Sequence, residues 1–154
     1  MPSAPHLLAQ LSHTRDVTLA HFERSTTDLV LTYAPGKWNI RYLLHHLADA
    51  ETVLFDRIRR VISKPGQVIW GFDQDAWAGG LDYATRPLAL SRSLYRSTRE
   101  GVIYYATQHY ERDGHLPFVH SETGRRTLQD EFDKVAWHNQ HHLDQISQAL
   151  ALAA

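Results

Sequence analysis

Apolar side chains recur at helical spacing in four stretches of this chain, and the gaps between them are rich in turn residues. In the first, residues 4 to about 24, Leu7, Leu8, Leu11, Val17, Leu19 and Phe22 give a noisy stripe. Ser25-Thr26-Thr27-Asp28 interrupts it with poor helix formers that can cap. Leu29 to Tyr33 is too short for periodicity to choose between a helical turn and an extended piece. Ala34-Pro35-Gly36-Lys37-Trp38-Asn39 is a turn by composition, and Asn39 is placed to cap a helix beginning at Ile40.

The second stretch is the clearest. Ile40, Leu43, Leu44, Leu47, Leu54, Ile58, Val61 and Ile62 share one face, which predicts a helix over 40–63 ended by Pro65-Gly66. Gln67 to Arg86 then reads as one long connection whose aromatics, Trp70, Phe72 and Trp77, suggest that it is packed down. A third helix is predicted from Pro87 to about Gln108, carrying Leu88, Leu90, Leu94, Tyr95, Val102, Ile103 and Tyr105, with Gly101 a weak point. Asp113-Gly114, Pro117 and Thr123-Gly124 are turn signals, and Leu116 to His120 can pair with the next segment as a small hairpin. Thr127 caps the last helix, Leu128 to Leu150, whose stripe is Leu128, Phe132, Val135, Ala136, Leu143, Ile146 and Leu150. The pattern predicts an all-α fold in a single domain over residues 1–154: a four-helix bundle with one long loop and a hairpin-like connection before the last helix.

Composition changes this picture in one respect. The chain is 43% hydrophobic and 21% charged with a formal net charge of −1, which invites neither nucleic acid nor an acidic membrane. The basic runs Arg57-Ile58-Arg59-Arg60 and Gly124-Arg125-Arg126 are read as solvated faces, too short for nucleic acid. No apolar run is long enough to span a bilayer, and Met1 to Gln10 lacks the features of a signal peptide, so a cytoplasmic location is expected. The absence of cysteine excludes disulfides, thiolate ligands and a cysteine nucleophile. The excess is histidine: eleven residues.

Three of them fall within five positions, His138, His141 and His142. With Phe132 as origin, His138 and His142 lie roughly 80° to 120° to one flank of the apolar stripe, and His141 points away from the core. In the second helix, with Leu47 as origin, His46 lies about 100° to one side and His45 is nearly opposite the core. One inward-capable imidazole can thus meet two stacked a turn apart, the geometry of helical metal sites. The same spacing also suits ordinary boundary residues, and the two readings stay open on residues alone. Gln145 and Asn139 could support His142 or line a pocket. Glu51 falls in the apolar sector and requires a partner. Asp49, Glu51 and Asp73 are acid–base candidates without a forced role, and Asp73 and Asp75 could border a site.

Taken in order, Pro35-Gly36-Lys37-Trp38-Asn39-Ile40, His46-Leu47-Ala48-Asp49-Ala50-Glu51, Asp73-Gln74-Asp75-Ala76-Trp77-Ala78 and His138-x-x-x-His142-x-x-Gln145-Ile146 resemble the DinB-like superfamily of small bacterial four-helix proteins. The resemblance covers about residues 15 to 150. It implies an up-down-down-up bundle and a divalent metal held by three histidines, which by position are His46, His138 and His142. Family activities include hydrolysis and thiol transfer with bacillithiol or mycothiol, and members often dimerise. Three imidazoles leave a coordination position open for water or a small-molecule substrate, and zinc, nickel or iron suits them. The expected function is a metal-dependent hydrolase or thiol transferase with no catalytic acid or base assigned. The alternative is a non-catalytic metal-binding or stress-related interaction module.

Overall fold

The computed structural model describes residues 3–154. Four long helices make up the bundle: α1 (Ala4–His21), α3 (Ile40–Ser63), α5 (Leu88–His109) and α6 (Leu128–Ala153). Short pieces link them: α2 (Thr26–Leu29), β1 (Val68–Ile69), α4 (Gln74–Gly80), β2 (Pro117–His120) and β3 (Gly124–Thr127). The helix ends arise from local chemistry. Asn39 accepts a hydrogen bond from the Tyr42 amide at the start of α3. Thr127 and Asp130 form a reciprocal capping box at the start of α6.

The direction of each helix can be read from its contacts. His45 and Glu51 of α3 meet Ser91 and Arg99 of α5 in the same order, so these two helices run parallel. His46 meets His138 while Arg57 meets Glu131, so α6 runs against α3. Thr14 of α1 meets Arg99, while Glu23 beyond its end meets Arg92 near the start of α5, so α1 is antiparallel to α5. The result is up-down-down-up. α5 and α6 each pack against both α1 and α3, which places α1 and α3 at opposite corners.

Two apolar clusters fill the bundle. One holds Leu7, Leu11, Leu54, Ile58, Val102 and Phe132; the other holds Phe22, Ile40, Leu43, Leu44, Tyr95, Leu143 and Ile146. A buried polar belt draws on all four long helices. The fully buried Arg99 donates to both Glu51 carboxylate oxygens, to the Leu11 carbonyl at 3.1 Å, to Thr14 at 2.8 Å and to the Asn139 amide oxygen at 2.6 Å. Tyr95 donates to that same oxygen at 2.6 Å, and the Asn139 amide nitrogen donates to Thr18 at 2.9 Å. This belt fixes the axial register and rotation of the helices, because a shift would leave a buried charge unpaired.

Several sequence expectations are corrected. The connection 67–86 is not one loop: β1 pairs in parallel with β2, Val68 opposite Val119, and Asp73 caps α4. Trp70 is 76% exposed rather than packed down. The hairpin is present, with β2 antiparallel to β3 and Phe118 opposite Arg126. Arg57 is not on a solvated face; it is buried, 3.7 Å from Glu131, and donates to the Trp70 carbonyl at 3.1 Å. Gly101 is a close-packing position: a Cβ there would lie 2.6 Å from the Phe55 ring. No helix among the described residues is long and apolar enough to cross a membrane.

Candidate metal centre

The site begins on the second turn of α3. Residues 43 to 51 are all buried, because α5 and α6 flank the helix and the α4–α5 connection covers another side. That connection is tied down by Arg86, whose guanidinium donates to both Asp49 oxygens at 3.0 Å, and by the Tyr83 hydroxyl, which donates to Asp49 at 2.8 Å. His45 is therefore not solvated. It is fully buried against Ser91, 2.7 Å away, and lies outside the histidine centre. His46 turns to the α6 side instead. Trp38 packs against its ring at a centroid distance of 5.1 Å, and Phe72 stacks at 6.4 Å.

On α6, the buried Asn139 fixes helix rotation and leaves His138 and His142 facing His46. Asn139 is thus a core residue of the polar belt, rather than a support for His142 or a pocket wall as its sequence position suggested. The Nε2 atom of His138 lies 3.0 Å from that of His46 and 3.2 Å from that of His142. The possible ligand atoms of the three residues all lie within 4.8 Å of one another. Imidazoles sharing a tetrahedral ion at about 2.0–2.1 Å place their nitrogens roughly 3.3 Å apart, close to this arrangement.

Protonation favours the same chemistry. Burial, then the neighbouring His142, lowers His46 to about 3. Burial lowers His142 to about 4 despite the hydrogen bond to Gln145, and burial together with the surrounding imidazoles holds His138 well below its ordinary value. All three are neutral at pH 7 and retain lone pairs for a cation. Gln145 sets the tautomer of one: its amide oxygen accepts from His142 Nδ1 at 2.7 Å, directing the Nε2 lone pair inward. The other end of that amide donates to His141 Nε2 at 3.3 Å. His141 is exposed, as expected, and stacks on Trp137 at 5.1 Å.

The centre opens on a cleft of about 450 Å³ lined by Trp38, Lys37, Asp75, Trp137, His141 and Gln145 among others. The acid–base candidates fare differently. Asp49 is bound by Arg86 and Tyr83, Glu51 by Arg99, and Asp73 accepts from the Asp75 and Ala76 amides at 3.0 Å as a cap. Asp75 is the carboxylate among the cleft-lining residues. Sequence reasoning does not single out Lys37, Trp38 and Trp137 as cleft residues, although Trp137 adjoins His138 and Trp38 lies in the turn leading into α3.

An up-down-down-up bundle whose helices converge three neutral imidazoles beneath an open cleft defines a class of small helical proteins with a candidate metal centre. The chain belongs to the DinB superfamily, whose sequence profile matches residues 10–146. It is 30% identical over 124 residues to a protein of Oceanobacillus iheyensis, covering 80% of this chain and 71% of that one. It is 26% identical over 123 residues to one of Halalkalibacterium halodurans, covering 80% and 71%. Both relatives carry the name "Putative metal-dependent hydrolase". The fold is that of YfiT from Bacillus subtilis, described as having "an unusual four-helix bundle topology", with a TM-score of 0.82 at 20% identity over 99% of this chain and 89% of that one.

Proposed function

We propose that His46, His138 and His142 hold one divalent metal ion and that the chain is a metal-dependent hydrolase. The observation that carries this reading is the convergence of three neutral Nε2 atoms, 3.0 and 3.2 Å apart, two of them on histidines that line an open cleft. A closed structural site uses four protein ligands; three leave a position free. An ion bound there supplies a Lewis acid that lowers the pKa of water toward ~7. Zinc suits three imidazoles, and nickel and iron are also accommodated.

The chain's own groups then have defined tasks. Gln145 holds the His142 ring, Trp38 and Phe72 shield the His46 ring from water, and Asp75 is the carboxylate available to take up a proton in the cleft. The names of the relatives support hydrolysis over thiol transfer. The test is turnover of a panel of carboxylic esters and amides by metal-free protein and by protein reloaded with zinc, nickel or iron. Activity that disappears on chelation and returns on reloading supports the proposal. Hydrolysis that survives complete removal of metal would overturn it.

A further inference from the structure

His138 borders two compartments. On one side is the open cleft; on the other is a smaller pocket of about 130 Å³ lined by Leu54, Arg57, Phe72, His120, Lys134 and His138 among others. Three of these lining residues, Lys134, Arg57 and His120, carry hydrogen-bond donors. Lys134 lies one turn before His138 on α6 and is half-buried, and no carboxylate forms an ion pair with it among the described residues. Arg57 is buried, and its Nε has no hydrogen-bond partner among the described residues. Its link to Glu131 is a loose ion pair at 3.7 Å. His120 accepts from the Glu122 and Thr123 amides at 3.2 and 3.3 Å through Nδ1, which leaves its proton on Nε2. The opposing charges are the buried Glu131 beside Arg57 and Glu122, which is exposed, lines the same pocket and lies against Gly71.

We infer that this pocket is a subsite for a small oxyanion, a carboxylate or phosphate group, bound by Lys134, Arg57 and His120 beside the histidine centre. Lys134 and the His120 Nε2 have no protein acceptor among the described residues and Arg57 is only loosely paired, and an oxyanion supplies several acceptors in a space of this size. Neighbouring cations corroborate this: burial and the guanidiniums of Arg57 and Arg126 lower the Lys134 ammonium, opposed by Glu131 and Glu122. A ligand placed across His138 would put its acidic end in this pocket and its reacting bond over the three imidazoles. The substrate class is accordingly an acidic ester or amide. This assignment of class rests on the hydrolase reading; the oxyanion subsite does not.

The test is titration of chelator-treated, metal-free protein with sodium acetate and, separately, sodium phosphate, monitored by NMR of the histidine and lysine side chains. Lys134→Met removes the charge and keeps the aliphatic stem; Lys134 forms no ion pair among the described residues, and the buried Glu131, which also feels its charge, keeps Arg57 as its ion-pair partner. Saturable binding that shifts His120, weakens about tenfold in K134M and recovers in K134R is expected. The tighter of the two anions identifies the oxyanion. Absence of saturable binding by both, or binding that K134M leaves unchanged, would overturn the inference. Wild-type protein that binds the anion but takes up no metal on reconstitution would remove the metal reading alone.

Discussion

His45 and His46 are adjacent and chemically identical, yet the fold gives them unrelated environments. His46 faces two imidazoles; His45 is enclosed against Ser91 near Arg86. We expect His46→Ala to abolish metal uptake and His45→Ala to retain it while losing roughly 2–3 kcal/mol of stability through a lost buried hydrogen bond and a cavity. Metal analysis and urea denaturation of the two variants check this. Gln145→Ala should weaken metal affinity about 10–100-fold without unfolding the chain, since it frees the His142 ring, and competition with a chromophoric chelator measures it. The placement of His46, His138 and His142 as the flank histidines is legible from helical angles alone. The fate of His45 is not, because its burial depends on Tyr83 and Arg86, some forty residues on in sequence. Asn139 departs from its expected place although a signal exists: it lies about 20° from Phe132, at the centre of the apolar stripe, where a polar residue implies a buried partner.

At the scale of the element, the helices are legible to within a few residues because capping and periodicity are local. The expected span of α3 matches the observed Ile40–Ser63, and Thr127 caps α6 as expected. β1 and α4 are not legible in this way, because a two-residue strand has no periodicity and exists only through β2. Arg99 carries a readable signal, lying within the stripe of Tyr95, Val102 and Ala106, yet its partners come from the other three long helices. Arg99→Met should cost about 3–5 kcal/mol by stranding the Glu51 charge, whereas the double change with Glu51→Gln should cost less than the sum of the two. Chemical denaturation of the four-member cycle measures the coupling. Gly101→Ala, a change that helix propensity alone would favour, should instead destabilise by about 1–3 kcal/mol, because the added methyl meets Phe55.

The whole molecule carries a set of buried neutral imidazoles, and this has a pH consequence. His45 and His21 are lowered to about 4, mainly by burial, as His142 is, and His46 is lowered to about 3. Between these values and the unfolded value near 6.5, the unfolded chain binds more protons than the folded one. Stability of the metal-free protein is therefore full above about pH 6.5 and falls as pH drops toward 4. Each imidazole steepens the slope by about 1.4 kcal/mol per pH unit. Denaturation midpoints measured from pH 7.5 to 4.5 check the sign; a midpoint that rises on acidification would contradict it.

One ion held by three residues is the centre of the proposed chemistry, and the direct measurement is metal content per chain. It would be made on tag-free protein for the wild type and for His45, His46, His138, His141 and His142 each changed to alanine. The expected result is about one equivalent in the wild type and in the His45 and His141 variants, and loss in the His46, His138 and His142 variants. A wild type that takes up no metal even after reconstitution, or uptake that survives loss of His46 or His138, would contradict it.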